Sequence, residues 1–332
     1  MSLVKSDKQT VYPSNETPAD RAADAKAFTL AHLSDAHLFC RDAIRWSQFL
    51  NKRMFGLLSW HFHRRSTKTN QILAAVLADL AQRSIDHVVV TGDLTHVGLP
   101  CDFAAARQFL HELGPSSRVT AIPGNHDTLV SSDWQATFAQ LAEYMIGDDG
   151  PPGNALPSVA YPTVRIRGGI ALIGVSTAHP SPPLLAVGAI GTRQLERLGG
   201  ILQETAARGL LRIVLIHHPP IPGAVARRKR LTDQTAFQAV VSKYGAELIL
   251  HGHTHRSTVN RLEVRHGPIP VIGAPSITLR NDRRGQAQYH LYDLNKSARG
   301  WKIRMTGRCL SPCLDHLVSK PIGEFEISRA NQ

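Results

Sequence analysis

The chain has 332 residues, enough for a large hydrophobic core, and its 42% hydrophobic and 6% aromatic content is ordinary for a globular protein. Its four cysteines, Cys40, Cys101, Cys309 and Cys313, show no double pair, which excludes a disulfide framework or a structural zinc knot, and no apolar run is long enough to span a bilayer. The net charge of +12 favours an anionic partner without choosing among a nucleotide, a phospholipid surface and a nucleic acid.

Residues 1–27 are polar, hold Pro13 and Pro18, and lack the apolar centre of a signal peptide, so a flexible extension on a cytoplasmic protein is expected. Phe28 to Leu33 reads as a strand with Asp35 and His37 at its end. Their spacing of two on an extended segment predicts side chains on one side. In Ile44 to Arg65, Trp46, Phe49, Leu50, Met54, Leu57, Leu58 and Phe62 recur at three and four, while Arg45, Lys52, Arg53, Arg64 and Arg65 gather elsewhere. That is a basic amphipathic helix interrupted at Gly56, which either packs on the domain or touches a membrane surface or lipid chain.

Helices are expected over Asn70–Gln82, Asp102–Leu113 and Thr192–Ala207, with a further one starting near Thr232 or Asp233. Val164–Arg167 and Ile170–Val175, joined by Gly168-Gly169, form a hairpin signal. Val259–Val264, Pro270–Ile272, Gln288–Leu294 and Trp301–Met305 alternate like strands of a second sheet, whereas residues 311–332 read as a tail. Cys309 and Cys313 are close enough to invite a redox test, with two unrelated thiols as the plain alternative.

One event recurs along this order. Val88 to Val90 runs into Thr91-Gly92-Asp93, a buried strand that stops in a carboxylate. An Asp that merely caps a turn would do this once. Here apolar runs also end in Asp, Asn or His at Leu30–His37, Val119–Asp127, Ile213–Pro220 and Leu248–His255. Ligands of open sheets bind outside the carboxyl ends of strands, so five such ends can converge on one patch. Imidazoles and hard oxygens without a thiolate suit two divalent ions such as Mn²⁺, Fe²⁺ or Zn²⁺.

Asp35-x-His37, Gly92-Asp93, Gly124-Asn125-His126-Asp127, His217-x-Pro219 and Gly252-His253-x-His255 resemble, in order, the signature blocks of the calcineurin-like metallophosphoesterases. The GDLT, GNHD, HHPP and GHTHR forms look most similar to bacterial class III cyclic-nucleotide phosphodiesterases. The resemblance covers roughly Phe28 to Ile277. It implies an α/β fold, a four-layer α/β/β/α sandwich of two mixed sheets with helices outside, in a domain over 28–310 that carries 44–65 as an insertion. It further implies one ion on Asp35, His37 and His255, the other on Asn125, His217 and His253, and Asp93 bridging. With only two anionic ligands the pair of ions keeps a charge of about +2, which favours a phosphate oxyanion and acidifies a bridging water, whose hydroxide would attack phosphorus in line. By the same resemblance His126 donates a proton to the leaving group, and Asp127 orients His126 or another imidazole. His218, second in its block, is expected to be structural.

Arg256 reads as a phosphate contact. His96 is either a substrate contact or a solvated loop residue. The run Arg227–Arg230 reads as a solvated face or as a lid over an anionic substrate. The expected activity is hydrolysis of a small phosphodiester, with cyclic nucleotides first. Competing readings are a hydrolase of a lipid-linked pyrophosphate, argued by residues 44–65; a scaffold that has lost its metals, opposed by seven filled ligand positions; and a nuclease, which a flat salt dependence of DNA binding would oppose.

Overall fold

The computed structural model describes residues 27–40, 52–54, 69–150, 159–265, 267–279, 286–298, 300–313 and 315–328. The expected N-terminal extension apart from residue 27, and the segment 44–65 apart from residues 52–54, lie outside them.

In chain order the elements are β1 (Phe28–Leu33), α1 (Thr69–Ala81), β2 (His87–Thr91), α2 (Pro100–Leu113), β3 (Val119–Ile122), α3 (Ala142–Met145), β4 (Thr163–Arg167), β5 (Ile170–Gly174), α4 (Thr192–Ala207), β6 (Leu211–Ile216), α5 (Gln234–Tyr244), β7 (Leu248–His251), β8 (Thr258–Leu262), β9 (Ile269–Gly273), β10 (Gln288–Ser297), β11 (Gly300–Leu310) and β12 (Leu317–Ser328). One six-stranded sheet has the order β12-β11-β10-β1-β2-β3, the other β4-β5-β6-β7-β9-β8. β1, β2 and β3 run parallel, as do β5, β6, β7 and β9, so their carboxyl ends share edges.

Apolar burial fixes the layers. Leu30, Val89, Ile122, Leu172, Ile213 and Leu250 pack between the sheets. Ile72, Val76, Phe103 and Leu110 of α1 and α2 cover the outer face of the first sheet. Leu195, Leu198, Leu202, Phe237 and Val241 of α4 and α5 cover the second. The four-layer α/β arrangement is therefore as the resemblance implied.

Two expectations are corrected. The late strands do not form a sheet of their own: β8 and β9 extend the sheet of β4–β7, while β10 pairs antiparallel with β1, from Phe28↔Leu294 to His32↔His290. Alternation marks a half-buried strand but says nothing of its neighbour. The expected tail contains β12, paired with β11 from Gly300↔Ser328 to Leu310↔Leu317. Its register shifts where Met305 pairs with Gly323 and Thr306 with Pro321, and that bulge, beside a Pro, breaks the period that a sequence reader looks for. Arg308 of β11 clamps this edge to α1, with Nε donating to Asp79 Oδ2 at 2.9 Å. All four cysteines are free thiols.

Candidate metal centre

Three of the parallel strands, β1, β2 and β7, end in turns that no ordinary extended or helical backbone makes. Among the described residues six non-glycine positions have positive φ, and five are Asp35 (54°), His37 (46°), Asp93 (52°), His253 (66°) and His255 (56°). Such left-handed backbone is disfavoured for residues with a Cβ, and it clusters where function requires it. Asp35 and His37 therefore do not share an extended segment. Their side chains converge because each backbone turns back.

Hydrogen bonds hold these turns against one another. Asp35 N donates to Gly92 O at 3.0 Å, His37 N to Asp93 O at 2.9 Å and Leu38 N to Leu94 O at 2.8 Å. The hydroxyls of Ser276 and Thr278, beyond β9, donate to Asp35 O and Ala36 O at 2.7 and 3.0 Å. Space is equally tight at Gly124, where a Cβ would lie 2.2 Å from Asp93 Oδ1.

Ligand atoms within 4.8 Å of one another gather in a first group of Asp35, His37, Asp93 and His255, a second of Asp93, His217 and His253, and a third, beside the first, of His37, His96 and His126. In the first, His255 Nε2 lies 3.0 Å and His37 Nε2 3.5 Å from Asp35 Oδ1. In the second, His217 Nε2 lies 3.4 Å from Asp93 Oδ2 and 3.2 Å from Asn125 Oδ1. Asp93 Oδ2 is also 3.7 Å from His37 Nε2, so this carboxylate belongs to both groups. The far nitrogens are tied down: His217 Nδ1 donates to Thr91 O at 2.7 Å and His253 Nε2 to Lys229 O at 2.9 Å. Backbone carbonyls thereby fix each ring's tautomer and aim the other nitrogen at the centre.

The donor set suits cations. Asp35 and Asp93 are 0% and 1% exposed, and burial alone would raise both carboxyls. His255 and His37 beside Asp35, and His217 and His126 beside Asp93, hold them well below the ordinary carboxylate range. Burial opposes a charged His217, yet Asp93 pushes that imidazole up to about 9. Two buried carboxylates demand positive charge, which a proton on His217 or a divalent ion supplies. Oxygen and imidazole donors with no thiolate fit Mn²⁺, Fe²⁺ or Zn²⁺.

The remaining candidates divide. His126 sits at the centre's edge, its ring centroid 4.6 Å from that of His37, with Nδ1 donating to His96 O at 2.6 Å. Its own N–H donates to Asp93 Oδ1 at 2.8 Å. Asp127 does not orient an imidazole: it accepts from Gly124 N at 2.8 Å, Thr95 N at 2.7 Å and Thr95 Oγ1 at 2.9 Å, stitching two loops together. His96 is not a solvated loop residue. It is 2% exposed and stacks on His126 at 5.4 Å, so it backs the site. His218 is structural as expected, buried with Nδ1 2.7 Å from Thr177 Oγ1. Arg256 is exposed beside His255.

Arg227–Arg230 are exposed at the rim, with Lys229 O bonded to His253 and the run tied to a neighbouring loop through Ala186 N→Arg228 O and Gly188 N→Arg230 O. That loop also receives Lys52, whose Nζ donates to Ser181 O, Ser181 Oγ and Leu185 O at 3.0, 2.7 and 2.7 Å. Arg53 turns the other way, with Nη2 donating to Gly98 O at 2.7 Å. These two cations of the 44–65 segment are thus engaged with the protein, not offered to a membrane. Reading by blocks missed Ser34, whose hydroxyl donates to Asp35, Thr91, whose hydroxyl donates to Ser34, and His32, although a histidine among apolar residues of a buried strand was a visible signal.

Among the described residues no helix is long and apolar enough to cross a membrane. Comparison with known proteins agrees with the geometry. A probable cyclic nucleotide phosphodiesterase of Synechococcus sp. is 26% identical over 267 residues, spanning 80% of this chain and 86% of that protein. One of Vesicomyosocius okutanii is 25% identical over 229 residues, 67% of this chain and 84% of that protein. A dimetal phosphatase from Danio rerio has the same fold, with a TM-score of 0.53 at 15% identity over 89% of this chain and 98% of that one. Residues 28–257 match the model of the calcineurin-like phosphoesterases, so the chain belongs to that family and is a metal-dependent phosphoesterase.

Proposed function

We propose that the protein hydrolyses a small phosphodiester at a dinuclear centre, with a cyclic nucleotide as its first substrate. Asp35, His37 and His255 would hold one divalent ion, Asn125, His217 and His253 the other, and Asp93 would serve both. The observation that carries this reading is Asp93 Oδ2, 3.7 Å from His37 Nε2 on one side and 3.4 Å from His217 Nε2 on the other. Bound ions of this kind neutralise phosphate charge and lower the pKa of water at neutral pH. The chain's own residues do the rest. His126, anchored through Nδ1 to His96 O, presents its other ring nitrogen as a proton donor to the departing oxygen. Asp127 holds the loop of Asn125 and His126 against that of Asp93 and Thr95, so both halves keep their spacing. Arg256 reaches a phosphate oxygen from the rim. The relatives named as probable cyclic nucleotide phosphodiesterases support the choice of substrate. The purified protein with Mn²⁺ should hydrolyse cyclic AMP and an aryl phosphodiester. Failure on both removes the assignment.

The exposed run Arg227–Arg230, bonded to a metal-site histidine, favours a second reading. Four cations are more than one phosphodiester charge needs, so the cleaved group would be a pyrophosphate, and the lipid-linked kind weighed from the sequence is the one to test. Turnover of a nucleotide-sugar lipid well above that of cyclic AMP, lost when Arg227, Arg228 and Arg230 become Gln, decides for this reading. Equal turnover before and after decides against it.

A further inference from the structure

Beneath the metal centre, between the sheets, polar side chains occupy positions where the strand pattern calls for apolar ones. His32 lies two residues after Leu30 on the β1 face that packs the intersheet core, and His290 of β10 is its register partner. His32, His290 and Tyr292 are 0% exposed and His251 1%. The His32 ring centroid is 6.1 Å from that of His290 and 6.3 Å from that of Tyr292. His32 Nδ1, His251 Nε2, His290 Nδ1 and the Tyr292 hydroxyl find no hydrogen-bond partner among the described residues. Polar groups buried without a partner are costly, so this layer is poor core and calls for another reason to exist.

The reason lies at the other end of a hydrogen-bonded chain. His32 Nε2 is 2.9 Å from Thr91 Oγ1, the Thr91 hydroxyl donates to Ser34 Oγ at 2.9 Å, and the Ser34 hydroxyl donates to Asp35 Oδ2 at 2.6 Å. Both hydroxyl hydrogens run towards Asp35, so the Thr91 oxygen is left to accept and His32 donates from Nε2. His253 N donates to the same Asp35 Oδ2 at 3.0 Å. One carboxylate oxygen is thereby filled and the other, Oδ1, faces His255 and His37.

We propose that His32, Thr91 and Ser34 are positioning residues that lock Asp35 for metal binding through Oδ1 while touching neither ion nor substrate. The proposal rests on the dinuclear reading above. Partners behind a metal ligand set its orientation, and their loss weakens metal affinity by about tenfold to a hundredfold. Thr91→Val keeps the shape of the side chain, and keeps the carbonyl that binds His217, but removes the hydroxyl; Thr91→Ser restores it.

Mn²⁺ titration followed by electron paramagnetic resonance and calorimetry tests this on the intact protein. Wild type should take up two ions. Thr91→Val should lose about tenfold or more in affinity at one of them, and Thr91→Ser and His32→Gln should stay near wild type. Should Thr91→Val fail to fold, Ser34→Ala carries the same expectation. Wild-type affinity at both ions in Thr91→Val and Ser34→Ala overturns the relay, as does an equal loss at both. A wild type that takes up no ion overturns instead the dinuclear reading itself.

Discussion

Replacing His126 by Ala separates proton donation from metal positioning. The variant loses the ring, whose centroid is 4.6 Å from that of His37 and 5.4 Å from that of His96, but keeps the backbone N–H that donates to Asp93 Oδ1 at 2.8 Å. Metal content should therefore stay at its wild-type value, and the lost ring contacts should lower stability by only about 1–2 kcal/mol. A positioned acid contributes about 10²–10⁴ in rate, or about 3–5 kcal/mol of barrier, when the leaving oxygen needs a proton. The ribose oxygen of a cyclic nucleotide needs one. A nitrophenolate does not. His126→Ala should accordingly lose about 10²–10⁴ in kcat on cyclic AMP and less than about tenfold on bis(4-nitrophenyl) phosphate. Steady-state kinetics on both substrates, with metal analysis of the same preparation, makes the comparison. Equal losses on the two substrates would refute a proton donor and leave His126 as a positioning group.

Asp93→Asn should reduce uptake of both ions, whereas Asp35→Asn should reduce uptake of one, because only Asp93 lies in both the first and the second ligand group; metal stoichiometry by mass spectrometry distinguishes them. In Gly252→Ala the new Cβ would lie 2.0 Å from Ser34 Oγ and 2.7 Å from Asp35 Oδ2, so urea unfolding should show a loss of roughly 1–3 kcal/mol together with weaker metal binding. Burial raises the Asp79 carboxyl, but hydrogen bonds from Arg308, Arg83 and Tyr289 outweigh it and bring it down to about 2. A folded pKa below the unfolded value means stability fully present above about pH 4 and lost as pH falls towards 2. Wild type should show that slope between pH 5 and pH 2, and Asp79→Asn should flatten it.

The convergence of the strand ends was legible because a buried strand carries its own signal and the polar residue that ends it stands out against it. Asp93, Asn125, His217, His253 and His255 were found in this way. How they converge was not legible: spacing suggested that Asp35 and His37 share an extended face, while both residues adopt positive φ, which depends on the bonds to Gly92 O and Asp93 O from another strand's turn. The solvated-loop alternative for His96 and the imidazole-orienting role for Asp127 fail for the same reason, since burial and hydrogen-bond partners are tertiary facts. Sheet membership failed at β10–β12 because a period of two gives a strand its faces and not its neighbours, and β12 hid behind a bulge.

Five left-handed residues at one centre are a physical statement about what it does. At about 1–3 kcal/mol each the strain is roughly 5 kcal/mol or more, comparable with the whole net stability of many domains. Glycine at those positions would relieve it, and glycine does stand at Gly92, where φ is 92° and a Cβ would lie 2.6 Å from His217 Nδ1. Yet the five carry Asp or His, the two residue types that can supply a carboxylate oxygen or an imidazole nitrogen from so short a side chain. The backbone accepts the strain because the loops are cross-bonded to one another and capped by Ser276 and Thr278. A ligand that binds the folded centre and not the unfolded chain offsets it further, as divalent ions do. Turns that bring carboxylates and imidazoles to one point at the cost of backbone strain are what a cation site requires, so their geometry agrees with the metal-dependent chemistry of the family.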